Sequence, residues 1–187
     1  MPSPIGHLIA GAAVGRAVVP SHPRVVVACM LLAAAADADL LLPQMHRTAT
    51  HSLTAVVVVL IVAIAVTGRV TAIGSGIGYL SRYAIGYCSR YGVGFPIRYR
   101  IVLALVAAFA SHILLDWLGA DPTPPHGVQL LWPFSNDWFI SGLDLFRGTA
   151  RRNPFTARSM WINVTAIAQE VAILGPIAWL AFRFRRQ

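Results

Sequence analysis

IVLALVAAFASHILLDWLG, residues 101–119, decides the fold. Residues Ile101 to Ala110 are all apolar, the composition of a membrane-buried helix, yet histidine follows at 112 and aspartate at 116. Both side chains are costly in hydrocarbon and are kept there by pairing, by metal or by chemistry. At this spacing His112 and Asp116 project from one helix face about 40° apart, so a single cation can touch both. A hydrogen bond between them, settling two polar groups inside a bundle, satisfies the same spacing.

The rest of the 187-residue chain shares this apolar character. It is 57% hydrophobic and 12% charged, where soluble proteins average about a quarter charged. With a mean hydropathy of +0.66, this composition points to an integral membrane protein of one domain, residues 1–187. The stretch after Met1, PSPIGHLIAG, has no basic leader, so the N-terminus is expected to belong to the mature fold. Helices are expected over roughly residues 4–19, 24–42, 50–67, 101–118 and 160–182, the last kinked at Gly175-Pro176. Only the third, fourth and fifth approach the about 20 residues that a span requires. The polar residues of the third and fourth lie at one end. The expected architecture is therefore all-α: an integral membrane bundle of about five helices, with its reactive groups near a membrane face.

All fifteen basic residues are arginine, and the net charge is +8. They fall in loops and in the C-terminal RFRRQ, where they can meet anionic lipid headgroups. Their scatter through a mostly apolar chain disfavours a nucleic-acid partner. Cys29 and Cys88 show no metal-type spacing and read as small hydrophobes. Residues 68–100 read as a Gly/Tyr/Arg-rich interfacial insertion. Within it IGYLSRYA, IGYCSRYG and VGFPIRYR repeat every eight residues from 77 to 100, setting Arg82, Arg90 and Arg98 at equal spacing.

The chain has only seven acidic residues and six histidines, and several of them gather at the ends of apolar helices. ADAD puts Asp37 and Asp39 at the end of the second helix, HRTATHS supplies His46, Arg47, Thr50, His51 and Ser52 before the third, and His7 lies in the first. Asp37 and Asp39 are about 200° apart on an ideal helix, so both face one site only if the helix ends there, and Pro43 favours such an ending. Histidine with carboxylate and no cysteine suits zinc, manganese or iron in a hydrolytic role. Thr50 or Ser52 serves as an N-cap, and Arg47 either holds a phosphate or pairs with Asp37 or Asp39. His22 reads as turn chemistry, His126 as a solvated loop histidine, and Trp132 and Trp138 as interface anchors. Glu170, mid-helix, is expected to pair with an arginine.

Asp37–Asp39, HRTATHS at 46–52, SHILLD at 111–116 and GVQLLWPFS at 127–135, in this order and spacing, resemble the YdjM-like family of bacterial membrane-bound metal-dependent hydrolases. The likeness covers roughly residues 3–135, and the C-terminal helix matches in character. That family is in turn similar to the all-helical zinc-dependent phospholipase C and single-strand nuclease superfamily. The resemblance implies a phospholipase C/nuclease-like fold in the inner membrane and a divalent metal, zinc first. His7, one of Asp37 or Asp39, His51, His112 and Asp116 are its implied ligands, with Asp116 as the bridge between two ions. Ala36 stands where the family usually has proline, and Thr48 where glycine is common. Downstream of the HxxxD helix the Pro-rich loop offers Asp121 and His126 as further donors, so one or two ions are expected rather than three.

The expected function is hydrolysis of a phosphoester, lipid or lipid-linked among the candidates, by metal-activated water. His46 or the second aspartate, Asp39, would act as general base or ligand orienter, and Arg47 would neutralise phosphate charge. The competing expectation is a non-enzymatic membrane protein with a structural metal or an ion-conducting role. Transport needs polar groups distributed through the membrane depth, whereas this chain sets them at helix ends.

Overall fold

The computed structural model describes residues 1–41, 47–75, 97–150 and 153–184. Five α-helices form these parts: α1 Pro4–Val18, α2 Pro23–Ala35, α3 Leu53–Ser75, α4 Ile97–Leu118 and α5 Ala157–Phe184. Among the described residues there is no strand, only the isolated bridges Gly119–Phe146 and Val128–Phe139. The all-helical architecture is as expected.

Local chemistry explains most helix ends. Pro4 and Pro23 open α1 and α2, where the missing N–H is no loss. Ser3 caps α1 by accepting the Gly6 N–H at 3.3 Å. Ser52, of the two expected candidates, caps α3: its Oγ accepts the Ala55 N–H at 3.1 Å and donates to the Ala49 carbonyl at 2.7 Å. The expected second helix does not run as one α-helix to residue 42. It ends at Ala35 and tightens into a 3₁₀ turn, Ala36–Leu41, that carries both aspartates. Such tightening is common at helix C-termini. A further 3₁₀ turn, Ala49–His51, precedes α3. Near Pro176 the expected kink does not interrupt α5, which is helical throughout.

Small residues bring α1 and α2 together. A Cβ on Gly11 would lie 2.5 Å from the Cys29 carbonyl oxygen, so only glycine allows this approach. Cys29, Ala33, Ala104 and Ala108 are buried with Val19 in one cluster, joining α2 and α4 beneath the end of α1. At that end Arg100 of α4 donates to the Val18 carbonyl at 2.7 Å, a cation on the negative pole of α1. Arg16 of α1 lies over the Phe182 ring of α5, while Ser3, before α1, meets Glu170 of α5. Hence α1 and α5 run parallel.

One end of the bundle therefore gathers the starts of α1 and α3 and the ends of α2 and α4. The fifth helix passes this level only at Glu170, so its first half projects about 20 Å beyond, at 1.5 Å per residue. The α4–α5 connection climbs this projection. Gln169 accepts the Arg147 N–H at 3.0 Å and donates to the Leu145 carbonyl at 3.2 Å. Asn163 exchanges two bonds with the Ala150 backbone, at 2.7 and 3.1 Å.

By length and composition α4 and α5 can each cross a membrane, and Leu53–Gly68 of α3 is a shorter apolar stretch. Their outward faces are apolar: Val57, Val58, Ile61, Leu103, Leu114, Val164, Ile177 and Trp179 are all exposed. Of the expected insertion, residues 76–96 lie outside the described residues, as does Cys88. Residues 68–75 continue α3 and 97–100 open α4.

Candidate metal centre

Six ligand-type side chains meet where the four helix ends converge. His7 enters from the first turns of α1, and Asp37 and Asp39 from the 3₁₀ turn after α2. His51 comes from the turn before α3, and His112 and Asp116 from the last turns of α4. His7, His51, His112 and Asp116 are 0% exposed, and Asp37 and Asp39 7% each. Ionisable groups so fully removed from solvent persist only when paired or metal-bound.

Asp116 is the hub. Its Oδ1 lies 3.4 Å from His7 Nε2. Its Oδ2 lies 3.1 Å from His51 Nε2 and 3.3 Å from His112 Nε2. Asp37 Oδ2 stands 3.9 Å from His7 Nε2. Donor atoms on a shared tetrahedral zinc are about 3.3 Å apart, given Zn–N and Zn–O bonds of about 2.0–2.1 Å. The three distances from Asp116, 3.1, 3.3 and 3.4 Å, have that spacing, and Asp37 stands somewhat wider. Two overlapping triads, His7–His112–Asp116 and Asp37–His51–His112, keep their donor atoms within 4.8 Å of one another.

Hydrogen bonding shows which atoms are available. Neither ring nitrogen of His7, nor either carboxylate oxygen of Asp37 or Asp116, has a hydrogen-bond partner among the described residues. Unsatisfied buried polar atoms are rare in native proteins, and here His7 Nε2 faces Asp116 Oδ1 and Asp37 Oδ2. In His112, Nδ1 bonds the Ala33 carbonyl at 2.7 Å. A carbonyl only accepts, so Nδ1 carries a proton and Nε2 is the nitrogen turned into the cluster, the arrangement typical of a metal-ligating imidazole. His51 Nε2 lies 2.9 Å from His112 Nε2. A proton shared between them, or a cation beside both, holds two such nitrogens together.

His51 is indeed protonated readily. Burial acts to lower its pKa, but Asp116 and Asp39 on its two sides outweigh this and push it up to about 9. On the far side, Asp39 Oδ2 lies 3.2 Å from His51 Nδ1, accepts the Arg47 N–H at 3.1 Å and accepts the Thr50 hydroxyl. Asp39 is thus held behind His51 and belongs to neither triad, whereas Asp37 faces the cluster. A 3₁₀ turn separates residues two apart by about 120°, so the neighbouring aspartates reach different histidines.

Arg47 adopts a left-handed backbone, φ 67°, which turns its N–H toward Asp39. Its guanidinium pairs with Asp121 and lies 5.6 Å from the centre of the Trp138 ring. It pairs with neither Asp37 nor Asp39. Asp121 also accepts the Gly127 N–H at 2.8 Å, tying the α4–α5 connection beside the centre. His46 lies outside the described residues. His126 is exposed, its Nδ1 on the Asp121 carbonyl, and is not part of the cluster. The expected arginine partner of Glu170 is replaced by Ser3, whose N–H donates to Oε1 at 2.7 Å. Sequence reasoning missed the Ala33 carbonyl and the Ser3–Glu170 link, and neither leaves a residue-type signal.

A bundle of apolar helices closing one end over a buried His/Asp cluster defines a membrane protein with a candidate metal centre. The chain belongs to the YdjM inner membrane protein family, whose model matches residues 1–185. No curated protein and no solved structure matches it.

Proposed function

We propose that the chain is a multi-pass, metal-dependent hydrolase of the inner membrane, acting on a phosphoester carried by a lipid or lipid-linked molecule. The observation that carries this reading is the convergence of His7, Asp37 and Asp116, whose ligand atoms are buried, lie 3.4 Å and 3.9 Å apart and complete no well-aligned hydrogen bond among the described residues. A purely structural polar network would satisfy its own members. The donors fit one or two divalent ions, zinc before manganese or iron, held by His7, His112 and Asp116 and by Asp37 and His51. A phospholipase C/nuclease-like arrangement is the fold relationship this ligand order supports.

When bound, such an ion supplies Lewis acidity, activating water and neutralising phosphoryl charge. The protein's own groups supply the rest. Asp116 offers one oxygen toward His7 and the other toward His51 and His112, so it can join both triads. Asp39 orients His51 through Nδ1, and the Ala33 carbonyl orients His112. Asp37, with no hydrogen bond of its own, can also hold the proton taken from water. Arg47, beside the centre, is the cation placed to meet a phosphate if it exchanges Asp121 for substrate.

The test is metal analysis of protein purified in detergent, followed by a divalent-dependent hydrolysis screen on phosphomonoesters, phosphodiesters and lipid phosphates. Stoichiometric metal, and turnover lost in His112→Ala and Asp116→Ala, are expected. Metal-free protein after growth and reconstitution in zinc would overturn the reading.

A further inference from the structure

Glu170 is fully buried in the middle of α5, and the cluster does not use it. Its carboxyl group faces the first turn of α1. Ser3 donates its backbone N–H to Oε1 at 2.7 Å and its hydroxyl to Oε2. Ser3 Oγ in turn accepts the Gly6 N–H at 3.3 Å, and the Ser3 carbonyl accepts the His7 N–H at 3.3 Å. Two steps of hydrogen bonding therefore lead from Glu170 to the backbone of a candidate ligand.

The fit is close. A Cβ at residue 6 would lie 2.7 Å from Glu170 Oε2, so the carboxyl group occupies the space that a side chain there would need. A helix N-terminus leaves its first N–H groups without helical partners, and in apolar surroundings each must be satisfied by something else. Glu170 and Ser3 do this from elements 167 residues apart. A carboxylate is also favoured at the positive pole of a helix.

His7 has particular need of such support. Its ring makes no hydrogen bond through either nitrogen among the described residues, and it stacks on His112 with centroids 3.8 Å apart. By contrast His112 and His51 are each fixed from behind, by the Ala33 carbonyl and by Asp39. The aim of His7 must come from its backbone.

We propose that Glu170 is a positioning residue for the metal centre: through Ser3 it locks the first turn of α1, and so aims His7 Nε2 at Asp116. The proposal rests on the metal reading above. It assigns to the last helix, which gives no ligand, the task of holding the first ligand in place.

The test uses full-length protein in detergent micelles loaded with cobalt(II), whose visible absorption reports the number and geometry of its ligands. Glu170→Ala should weaken cobalt binding by about tenfold to a hundredfold, the usual cost of losing an outer partner of a ligand. It should also shift the spectrum in the direction of His7→Ala. Glu170→Gln, which keeps an acceptor for the Ser3 N–H, should restore most of both. Leu174→Ala serves as the packing control. Leu174 is buried one turn further along α5 with Ala10 and Leu115, and its loss should lower the melting temperature while leaving the cobalt spectrum unchanged. If Glu170→Ala does not fold, Ser3→Ala carries the same readout. A wild-type spectrum and affinity in a folded Glu170→Ala, or equal spectral shifts in Leu174→Ala, would overturn the proposal. Failure of wild-type protein to bind cobalt would instead overturn the metal reading beneath it.

Discussion

A cation entering this cluster must displace the proton on His51, which makes metal affinity a steep function of pH. The two carboxylates flanking the ring at 3.2 and 3.1 Å hold its pKa at about 9. A ligating imidazole must be neutral. At pH 7 the neutral form is therefore about one part in a hundred, at pH 8 about one in ten, and at pH 9 about half. The apparent dissociation constant for zinc should fall about tenfold per pH unit between 6 and 8 and flatten above 9. Near pH 7, about one proton should be released per ion bound at the His51 position. Calorimetric titration in buffers of different ionisation enthalpy, with a competing chelator, measures both quantities. Asp39→Asn removes one of the two flanking charges, so the plateau should begin at lower pH. Affinity constant between pH 6 and 8, with no proton released, would refute the reasoning. The same linkage acts on the metal-free fold. A histidine whose pKa is raised by folding stabilises fully below its unfolded value of about 6.5. That stability is then lost as pH rises through about 9. Metal-free protein should accordingly melt at lower temperature at pH 9.5 than at pH 6.5.

Other expectations concern the frame. Gly11→Val forces a side chain into the Cys29 carbonyl and should cost about 1–3 kcal/mol or prevent folding, read by thermal unfolding in detergent. Ser52→Ala removes the cap of α3 and should cost about 1 kcal/mol, with metal stoichiometry unchanged because His51 is held separately by Asp39. Arg47→Ala should leave metal content intact but raise KM for an anionic substrate more than it lowers kcat. The reverse pattern would remove Arg47 from substrate binding.

Much of the centre was legible because its residue types are scarce and costly. A histidine and an aspartate four apart at the end of an apolar run demand an explanation, and His7, Asp37 and His51 supply it from other helix ends. What the sequence left open was the division of labour between the two aspartates. On an α-helix Asp37 and Asp39 would point about 160° apart and only one could face the cluster, but the 3₁₀ turn narrows this to about 120°, setting Asp37 by His7 and Asp39 behind His51, and that tightening depends on tertiary packing. The partner of Glu170 was illegible for a related reason. Residue-type reasoning looks for an opposite charge, whereas the structure uses a serine and a backbone N–H from the far end of the chain. The Ala33 carbonyl that fixes His112 has no side-chain signature at all.

The unequal lengths of α4 and α5 have a mechanical consequence. A 22-residue α4 is about 33 Å long, close to the about 30 Å of a bilayer's hydrocarbon, whereas a 28-residue α5 is about 42 Å. At the far end, Arg16 against Phe182 and Arg100 against Val18 keep the helices level. The surplus of α5 can then emerge only on the side of the metal centre, where Asn163 and Gln169 lash the connection to it. The fifth helix thus stands as a mast over the end of the bundle that carries the His/Asp cluster, with the α4–α5 connection stayed to it.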